Sequence, residues 1–313
     1  LRAAEFLNFT CANDVVKGIG RTVYTQALNT RGGIESDYTV TQMNDDEFMV
    51  VTGTAFGTHD RQWLEKLARE NAFNEILIKD ITSDFACFGL WGPNARQIIQ
   101  SVTTYDMSHK NFPFMHSREI EIAGVILRAT RITYVGELGW ELYIESDQAS
   151  KVWTTLINAG KNHGMKTCGY RAIESLRLEK GYRAWGVEIS TETNPWDAGL
   201  GFAVAMKKDS FIGKVALMKS KEDVTRKLGA ILFDDIRQVP LGNEPVRVGG
   251  QIVGRIKSGG QGYTLGKAIG YAYLPIAHSE AGTILDVEFF GQWRQGVIAT
   301  EPLFDPTNAK IRA

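Results

Sequence analysis

The stretch Gly32-Gly33-Ile34-Glu35-Ser36-Asp37 lies between two runs of residues that suit a pleated strand. The run before it, residues 21–28, is rich in β-forming side chains, and the run after it, residues 37–40, alternates polar with bulky ones. Because the two glycines tolerate positive φ, the stretch predicts the turn of a β-hairpin. The period of two places Asp37 and Thr39 on one face of the second strand and the two bulky side chains on the other. Most strand carboxylates face solvent, so the hairpin alone leaves the role of Asp37 open.

A second candidate site lies in the run Tyr134-Val135-Gly136-Glu137-Leu138-Gly139-Trp140-Glu141-Leu142-Tyr143, which predicts two strand-like arms around a Gly-x-x-Gly turn. In the second arm Glu141 and Tyr143 share one face, and Trp140 and Leu142 share the other. A carboxylate there could accept two parallel N–H bonds from the amidine-like edge of a pterin or purine. It could equally pair with a lysine or arginine across the sheet, and the segment alone favours neither.

Up to about residue 220, short β-like runs alternate with amphipathic helical runs, which is typical of a two-layer α+β fold. One helix is predicted over residues 169–183. Its spacing turns Ile173, Leu176 and Leu178 inward, and Gly181 serves as its C-cap.

The C-terminal part of the chain has a different pattern. From about Arg226 helical periodicity fades, and short strands such as residues 228–233 and 283–290 are separated by glycines, which predicts a compact β-barrel. We place the boundary near Ser220. The glycines within residues 259–262 are predicted to form turns, because no strand–turn–helix unit surrounds them to support a dinucleotide fold.

Composition limits the classes of function. The chain has 313 residues, a formal net charge of -1 and no dense basic block, so we expect no nucleic-acid partner. No apolar run approaches the ~18 residues of a membrane span. Cys11, Cys87 and Cys168 are scattered and form no CxxC pair, so neither a disulfide framework nor a metal site is predicted. Residues 1–7 have helical spacing, which predicts that the sequence begins inside a helix and is a fragment.

Five segments in one order resemble the aminomethyltransferase family, the relatives of the glycine cleavage T-protein that use tetrahydrofolate. The segments are residues 24–37, 134–143, 175–186, 195–202 and 211–214. Their wording looks most like the C-terminal folate half of dimethylglycine oxidase, dimethylglycine dehydrogenase and sarcosine dehydrogenase. The likeness spans essentially the whole chain.

The resemblance implies an α+β fold of three domains in a cloverleaf, with two α+β lobes and a C-terminal β-barrel around a central folate channel. It divides the chain into a discontinuous folate-binding lobe of residues 1–55 and 135–219, whose N-terminal part is missing, a second lobe of residues 56–134, and a barrel of residues 220–313. The alternation of strands and helices described above agrees with this arrangement.

The resemblance also implies roles for individual residues. Asp37 matches the acid tied to catalysis, and Glu141 matches the residue that holds the pterin. Further folate contacts are implied for Tyr24, Thr39, Tyr134, Leu142 and Tyr143. A carboxylate beside a nitrogen that attacks an electrophilic methylene carbon can stabilise cationic species and take up a proton. One departure is Ile173, which aligns with an arginine of the T-protein, so that arginine's contact is not assigned here.

The function implied by the resemblance is transfer of a one-carbon unit from an imine of dimethylglycine or sarcosine to tetrahydrofolate, giving 5,10-methylenetetrahydrofolate. The chain has no Gly-x-Gly-x-x-Gly unit that opens a helix, so FAD is expected only on a separate or missing N-terminal domain, a flavin oxidase or dehydrogenase partner. We expect the cytoplasm of a bacterium or, alternatively, the mitochondrial matrix.

Two alternatives remain. The chain could be a free-standing folate-dependent aminomethyltransferase or demethylase. It could also be a binding protein without transfer chemistry, like the iron–sulfur assembly relatives of the fold, but those carry a cysteine motif where residues 209–214 of this chain have none.

Overall fold

The computed structural model describes residues 2–313 as a mixed structure of helices and antiparallel sheets. The α-helices are α1 (Arg2–Thr10), α2 (Gly57–Glu70), α3 (Ala95–Gln100), α4 (Ala149–Gly160), α5 (Tyr170–Lys180), α6 (Lys214–Glu222) and α7 (Ala309–Arg312). The strands are β1 (Thr22–Leu28), β2 (Ile34–Gln42), β3 (Phe48–Val51), β4 (Phe85–Trp91), β5 (Ser117–Ile122), β6 (Val125–Thr130), β7 (Gly139–Glu145), β8 (Arg226–Phe233), β9 (Pro245–Val248), β10 (Gln251–Gly262), β11 (Lys267–Pro275), β12 (Ile284–Phe289) and β13 (Gln292–Ala299). The predicted α+β class with a C-terminal barrel is confirmed.

The first sheet has the order β1-β2-β3 and contains the predicted hairpin. Gly32 has a φ of 84°, and a Cβ on Gly33 would lie 1.9 Å from the carbonyl oxygen of Thr191, so both turn positions require glycine. Asn29 fixes the turn, because its Oδ1 accepts the N–H groups of Arg31 and Gly33 at 3.0 Å. The apolar face of the sheet packs on α1 and α2, and the half-buried polar side chains of β2 lie on the opposite face.

The second sheet has the order β4-β7-β6-β5, and α3 and α4 cover its apolar face. Only the second of the two arms predicted around Gly136 is a strand. The prediction of a strand in the first arm is wrong, because β6 ends at Thr130 and the chain runs as an irregular loop from there to Gly139. The strand β7 pairs with β4 and β6, so it lies in the sheet of the predicted second lobe, although the predicted division assigns it to the folate-binding lobe. The division into lobes otherwise stays a prediction.

The helix α5 ends as predicted but is buried differently. Gly181 is its C-cap with a φ of 77°, and its N–H bonds to the carbonyl of Leu178. Of the three residues predicted to face inward, Leu178 is buried, whereas Ile173 and Leu176 are only half-buried. The other buried side chains of α5 are charged: Arg177, Glu179 and Lys180.

Six strands close into the barrel in the order β10-β11-β8-β13-β12-β9. The predicted boundary at Ser220 falls within α6, two residues before that helix ends at Glu222 and six before β8 starts at Arg226. The prediction of turns at residues 259–262 is wrong, because these residues belong to β10. Glycine is required there by close packing, since a Cβ on Gly260 would lie 2.7 Å from the side chain of Leu178 in α5.

None of the helices within residues 2–313 is long and apolar enough to cross a membrane.

Candidate functional site

The hairpin brings Tyr24 and Asp37 together. Asp37 and Thr39 are half-buried on one face of β2, and Tyr38 and Val40 are buried on the other, which confirms the predicted alternation. Tyr24 lies opposite Thr39 in the register of β1 and β2. The hydroxyl of Tyr24 donates a hydrogen bond of 3.0 Å to Oδ2 of Asp37. The register of one hairpin therefore assembles three of the predicted site residues.

The surroundings of Asp37 in the hairpin raise the pKa of its carboxyl. Burial raises the pKa of the Asp37 carboxyl to about 6, the hydrogen bond from Tyr24 opposes this shift, and the nearby charge of Asp60 adds to it. Asp60 is itself buried at the start of α2 and accepts hydrogen bonds from the hydroxyls of Ser36 and Thr52. Within residues 2–313 no Lys, Arg or His forms an ion pair with Asp37. A carboxyl with a pKa near neutrality can exchange a proton at physiological pH.

Residues that the sequence analysis missed surround this pair. Nε2 of His59 lies 3.4 Å from Oε1 of Glu35, which shares the face of Asp37. The His59 ring lies 5.9 Å from the ring of Trp185, whose Nε1–H bonds to the backbone of the hairpin at 3.0 Å. Glu35 could have been found from the period of two, two residues before Asp37. His59 and Trp185 could not, since they reach the hairpin only through tertiary packing.

Glu141 and Tyr143 form a second group on β7. They share one face, as predicted, and the Tyr143 hydroxyl donates a hydrogen bond of 2.5 Å to Oε2 of Glu141. Burial raises the pKa of Glu141, and this hydrogen bond opposes the shift. The cross-strand neighbours of Glu141 are Gly89 on β4 and Thr130 on β6, so the described residues show no lysine or arginine paired with it. Position 89 requires glycine, because a Cβ there would lie 2.2 Å from the indole ring of Trp91.

The side chain of Leu142 lies on the opposite face from Glu141. Like Trp140 it is fully buried in the core beneath α3 and α4. The predicted sharing of faces is therefore confirmed, and any contact between Leu142 and a ligand beside Glu141 would have to come from the backbone.

Tyr134 lies near the first group rather than the second. Its hydroxyl donates a hydrogen bond of 3.0 Å to the carbonyl of Arg183, and its ring stacks on Tyr182 with centroids 5.9 Å apart. Burial raises the pKa of Tyr134, and the charge of Asp37 contributes to the shift, so the two groups interact. Among the described residues, no hydrogen bond links Tyr134 to Tyr24, Asp37 or Glu141.

The two carboxylates define what this arrangement can bind. In the part of the chain that the structure describes, no group of three or more His, Cys, Asp or Glu side chains could hold a metal ion. Asp37 and Glu141 each have one tyrosine hydroxyl as a partner and no cation. Such carboxylates suit a ligand that carries N–H donors or develops positive charge.

Comparisons with known proteins agree with this geometry. Residues 2–208 match the GCVT N-terminal domain, and residues 226–305 match the glycine cleavage T-protein C-terminal barrel domain. The chain is 34% identical to the mitochondrial dimethylglycine dehydrogenase of Rattus norvegicus over 99% of this chain and 36% of that protein. It is 32% identical to an aminomethyltransferase of Symbiobacterium thermophilum over 97% of this chain and 82% of that protein.

A solved structure shares the fold. The glycine cleavage system aminomethyltransferase T from Bartonella henselae superposes with a TM-score of 0.85 and 25% identity, over 98% of this chain and 82% of that one. The chain spans only about a third of the length of the dimethylglycine dehydrogenases that it matches, 36% in the rat protein. The two matched domains and the shared fold confirm the resemblance noted in the sequence, and the chain belongs to the aminomethyltransferase family of the glycine cleavage T-protein.

Proposed function

We propose that this chain binds tetrahydrofolate and transfers to it a one-carbon unit from an imine of dimethylglycine or sarcosine, giving 5,10-methylenetetrahydrofolate. The observation that carries the proposal is the Asp37 carboxyl, which is half-buried, bonded to Tyr24 and without a cation partner among residues 2–313. A structural carboxylate would be paired or exposed.

Glu141 is the residue that we assign to the pterin. One of its oxygens accepts the Tyr143 hydroxyl, and the carboxylate has no cation partner within the described chain. The N–H groups along a pterin edge would supply the missing donors in a fork of two parallel bonds. The flat indole ring of Trp91 covers Gly89, the cross-strand neighbour of Glu141. Thr39 and Tyr134 would contact the ligand from the hairpin side.

Asp37 performs the proton chemistry in this proposal. One folate nitrogen forms the first new bond to the imine carbon. The second folate nitrogen then bonds to the same carbon as its bond to the amine breaks, and the amine leaves with the two protons released by the folate nitrogens. As an anion, Asp37 stabilises the positive charge of the approaching imine, and its raised pKa of about 6 lets it accept the proton released when the first bond forms. Tyr24 holds the carboxylate in place through Oδ2.

The identity of the donor rests on the relatives. The dimethylglycine and sarcosine dehydrogenases that match nearly all of this chain are almost three times as long as the matched part. In this proposal FAD is bound by a separate or preceding flavin domain. The alternative is a free-standing folate-dependent aminomethyltransferase or demethylase, because the chain covers 82% of the Symbiobacterium aminomethyltransferase. The intact mass of the native protein distinguishes the two. Mitochondrial and bacterial names both occur among the relatives, and either compartment agrees with the proposal.

The test is Asp37→Asn, assayed with an imine made from formaldehyde and a secondary amine. The amide can still accept the Tyr24 hydroxyl, so we expect a folded protein that binds tetrahydrofolate with nearly unchanged affinity. The rate of product formation should fall by about 100-fold or more, the usual effect of removing a proton-transfer group. Only the rate above the uncatalysed reaction of formaldehyde with folate counts.

The matched control is Asp286→Asn, which changes a strand carboxylate of the barrel that pairs with Arg247 at 3.1 Å. This variant should keep the parent rate. If the Asn variant at position 37 is as fast as the parent, Asp37 has no role in transfer and the proposed mechanism is wrong.

A further inference from the structure

The side-chain amide of Gln26 is buried in the candidate site without a hydrogen-bond partner. Gln26 lies on β1 directly opposite Asp37 in the register of the hairpin, and its side chain is completely inaccessible to solvent. Across residues 2–313, neither its Nε2 nor its Oε1 has a hydrogen-bond partner. Burying an unpaired amide destabilises a fold, so its presence calls for a physical reason.

The neighbours of this amide are the reacting groups of the hairpin. Gln26 and Tyr24 are two residues apart on β1, so they share the face that carries Asp37. Burial raises the pKa of Tyr24 and the Asp37 charge adds to this, while the nearby Gln26 amide lowers it. The register of β1 and β2 therefore places the Gln26 amide on the same face as Tyr24 and Asp37.

The hydrogen-bonding capacity of the three groups is complementary. The Tyr24 hydroxyl has one proton, which it donates to Asp37, and its oxygen can still accept. A glutamine amide has both a donor, Nε2–H, and an acceptor, Oε1. The amide of Gln26 is therefore able to accept a hydrogen bond from the Tyr24 hydroxyl when the hydroxyl proton points away from Asp37.

We propose that Gln26 is a positioning residue that holds the Tyr24 hydroxyl against Asp37 once the acid has taken up a proton. With Asp37 ionised, Tyr24 O–H donates to Asp37 and the Gln26 amide is left unpaired, as in the structure. After Asp37 has taken up a proton, its O–H donates to the Tyr24 oxygen, and Tyr24 O–H turns to Gln26 Oε1. The single proton gained resides on Asp37, and neither Tyr24 nor Gln26 changes its charge. This inference rests on the proposed function, in which Asp37 accepts that proton.

The test is a double-mutant cycle of Gln26→Met and Tyr24→Phe in the full chain, with tetrahydrofolate and the formaldehyde-derived imine. Methionine has nearly the volume of glutamine and no amide. Gln26→Met should lower kcat by about tenfold, a usual size for coupling between contacting residues, while KM for tetrahydrofolate changes by less than about twofold. In the Tyr24→Phe background Gln26→Met should have no further effect on kcat, because the hydroxyl through which it acts is gone.

The matched control is Gln42→Met on the same hairpin. Gln42 is buried as well, but its Oε1 accepts the N–H of Gly18 at 2.9 Å, outside the site. This variant should lower the midpoint of thermal unfolding and leave kcat unchanged. If Gln26→Met does not fold, Gln26→Asn replaces it, since it keeps an amide but withdraws it by one methylene, and the same loss of kcat is expected.

Two results would overturn the role of Gln26. One is a Gln26 variant that, like Gln42→Met, changes only the unfolding midpoint, and the other is a loss of kcat that multiplies independently with that of Tyr24→Phe. Failure of the proposed function looks different, since the parent and Gln42→Met would then form no product above the uncatalysed reaction.

Discussion

The helix α5 and the two candidate-site strands both bury charge, but they do so in opposite ways. At the end of α5, Arg177 and Lys180 each have a partner of opposite sign. Arg177 lies 2.7 Å from Glu188 with both side chains at most 1% exposed, and Lys180 lies 3.3 Å from Asp305. On β2 and β7, Asp37 and Glu141 have no cation within the described residues and only a tyrosine hydroxyl each.

The difference separates a structural role from a functional one. A buried ion pair with further hydrogen bonds satisfies itself, and removing either partner leaves an uncompensated charge. Where neither a cation nor several N–H groups compensate a buried carboxylate, burial raises its pKa, as it does for Asp37 and Glu141, and this destabilises the protein at neutral pH. The fold retains this cost where a ligand can offset it, which is why unpaired carboxylates identify the site better than buried charge alone.

The largest effect is expected from Arg177→Met, which breaks the buried pair. It leaves Glu188 charged and buried, with only the N–H of Ala184 at 2.8 Å and no cation. The free energy of unfolding in urea should fall by about 3–5 kcal/mol. The double variant with Glu188→Leu should recover much of this loss. A loss below about 1 kcal/mol in the single variant would show that the pairing at α5 is not structural.

Asp37→Asn should act in the opposite direction on stability. The pKa of Asp37 in the folded protein is about 6, against an ordinary value of 3.8, so folding favours the protonated form. Its contribution to stability is fully present below pH ~4 and is lost as the pH rises through about 6. The Asn variant should therefore equal the parent near pH 4 and exceed it by up to about 3 kcal/mol above pH 7. Urea unfolding at several pH values measures this, and a difference that does not depend on pH would contradict an unpaired acid.

Glu141→Gln and Glu179→Gln compare an unpaired carboxylate with a structural one. Glu179 is buried on α5 and accepts the N–H groups of Thr264 and Leu265 at 2.7 and 3.1 Å. Glu179→Gln should lower the free energy of unfolding by roughly 1–3 kcal/mol, because the new NH2 group has no acceptor, and should keep tetrahydrofolate affinity. Glu141→Gln should not lower the free energy of unfolding at neutral pH, and it should weaken that affinity about tenfold or more by calorimetry, since a charge-assisted hydrogen bond is lost. Equal affinity in both variants would remove Glu141 from the site.

The sequence predicted the candidate-site strands well because their signal is local. Alternation with a period of two places Asp37 beside Thr39 and Glu141 beside Tyr143, and one glycine turn sets the register that brings Tyr24 to Asp37. Only the assignment of a role to these residues required the resemblance, since alternation does not distinguish a functional carboxylate from a solvent-facing one.

The same reasoning was weaker for α5 because its partners are distant in sequence. The spacing of apolar residues predicted Ile173 and Leu176 as inward, but the buried face also carries Arg177 and Lys180. Their burial depends on Glu188 and Asp305, which no local pattern links to the helix.

Tertiary packing also explains the other differences. The glycines at residues 259–262 resemble a turn in sequence, but they lie in the strand β10. Glycine is needed there because α5 packs too closely for a Cβ at Gly260. Asp60 affects the pKa of Asp37 only because α2 folds back on the hairpin, and nothing in the sequence distinguishes it from other helical acids.

The smallest effect is expected from Arg61→Met, the exposed counterpart of Arg177→Met. Arg61 lies on α2, 3.7 Å from Glu65 one turn later, and the two side chains are 43% and 37% exposed. Water screens such a pair and its side chains remain mobile, so the free energy of unfolding should fall by no more than about 0.5 kcal/mol. Raising the salt concentration should reduce even this difference, whereas it should leave most of the loss in Arg177→Met. The two substitutions are chemically identical, so the contrast isolates burial. A loss at Arg61 comparable with that at Arg177 would show that pairing itself, and not the burial of the pair, stabilises this fold, and the distinction between paired and unpaired buried charge would no longer identify the site.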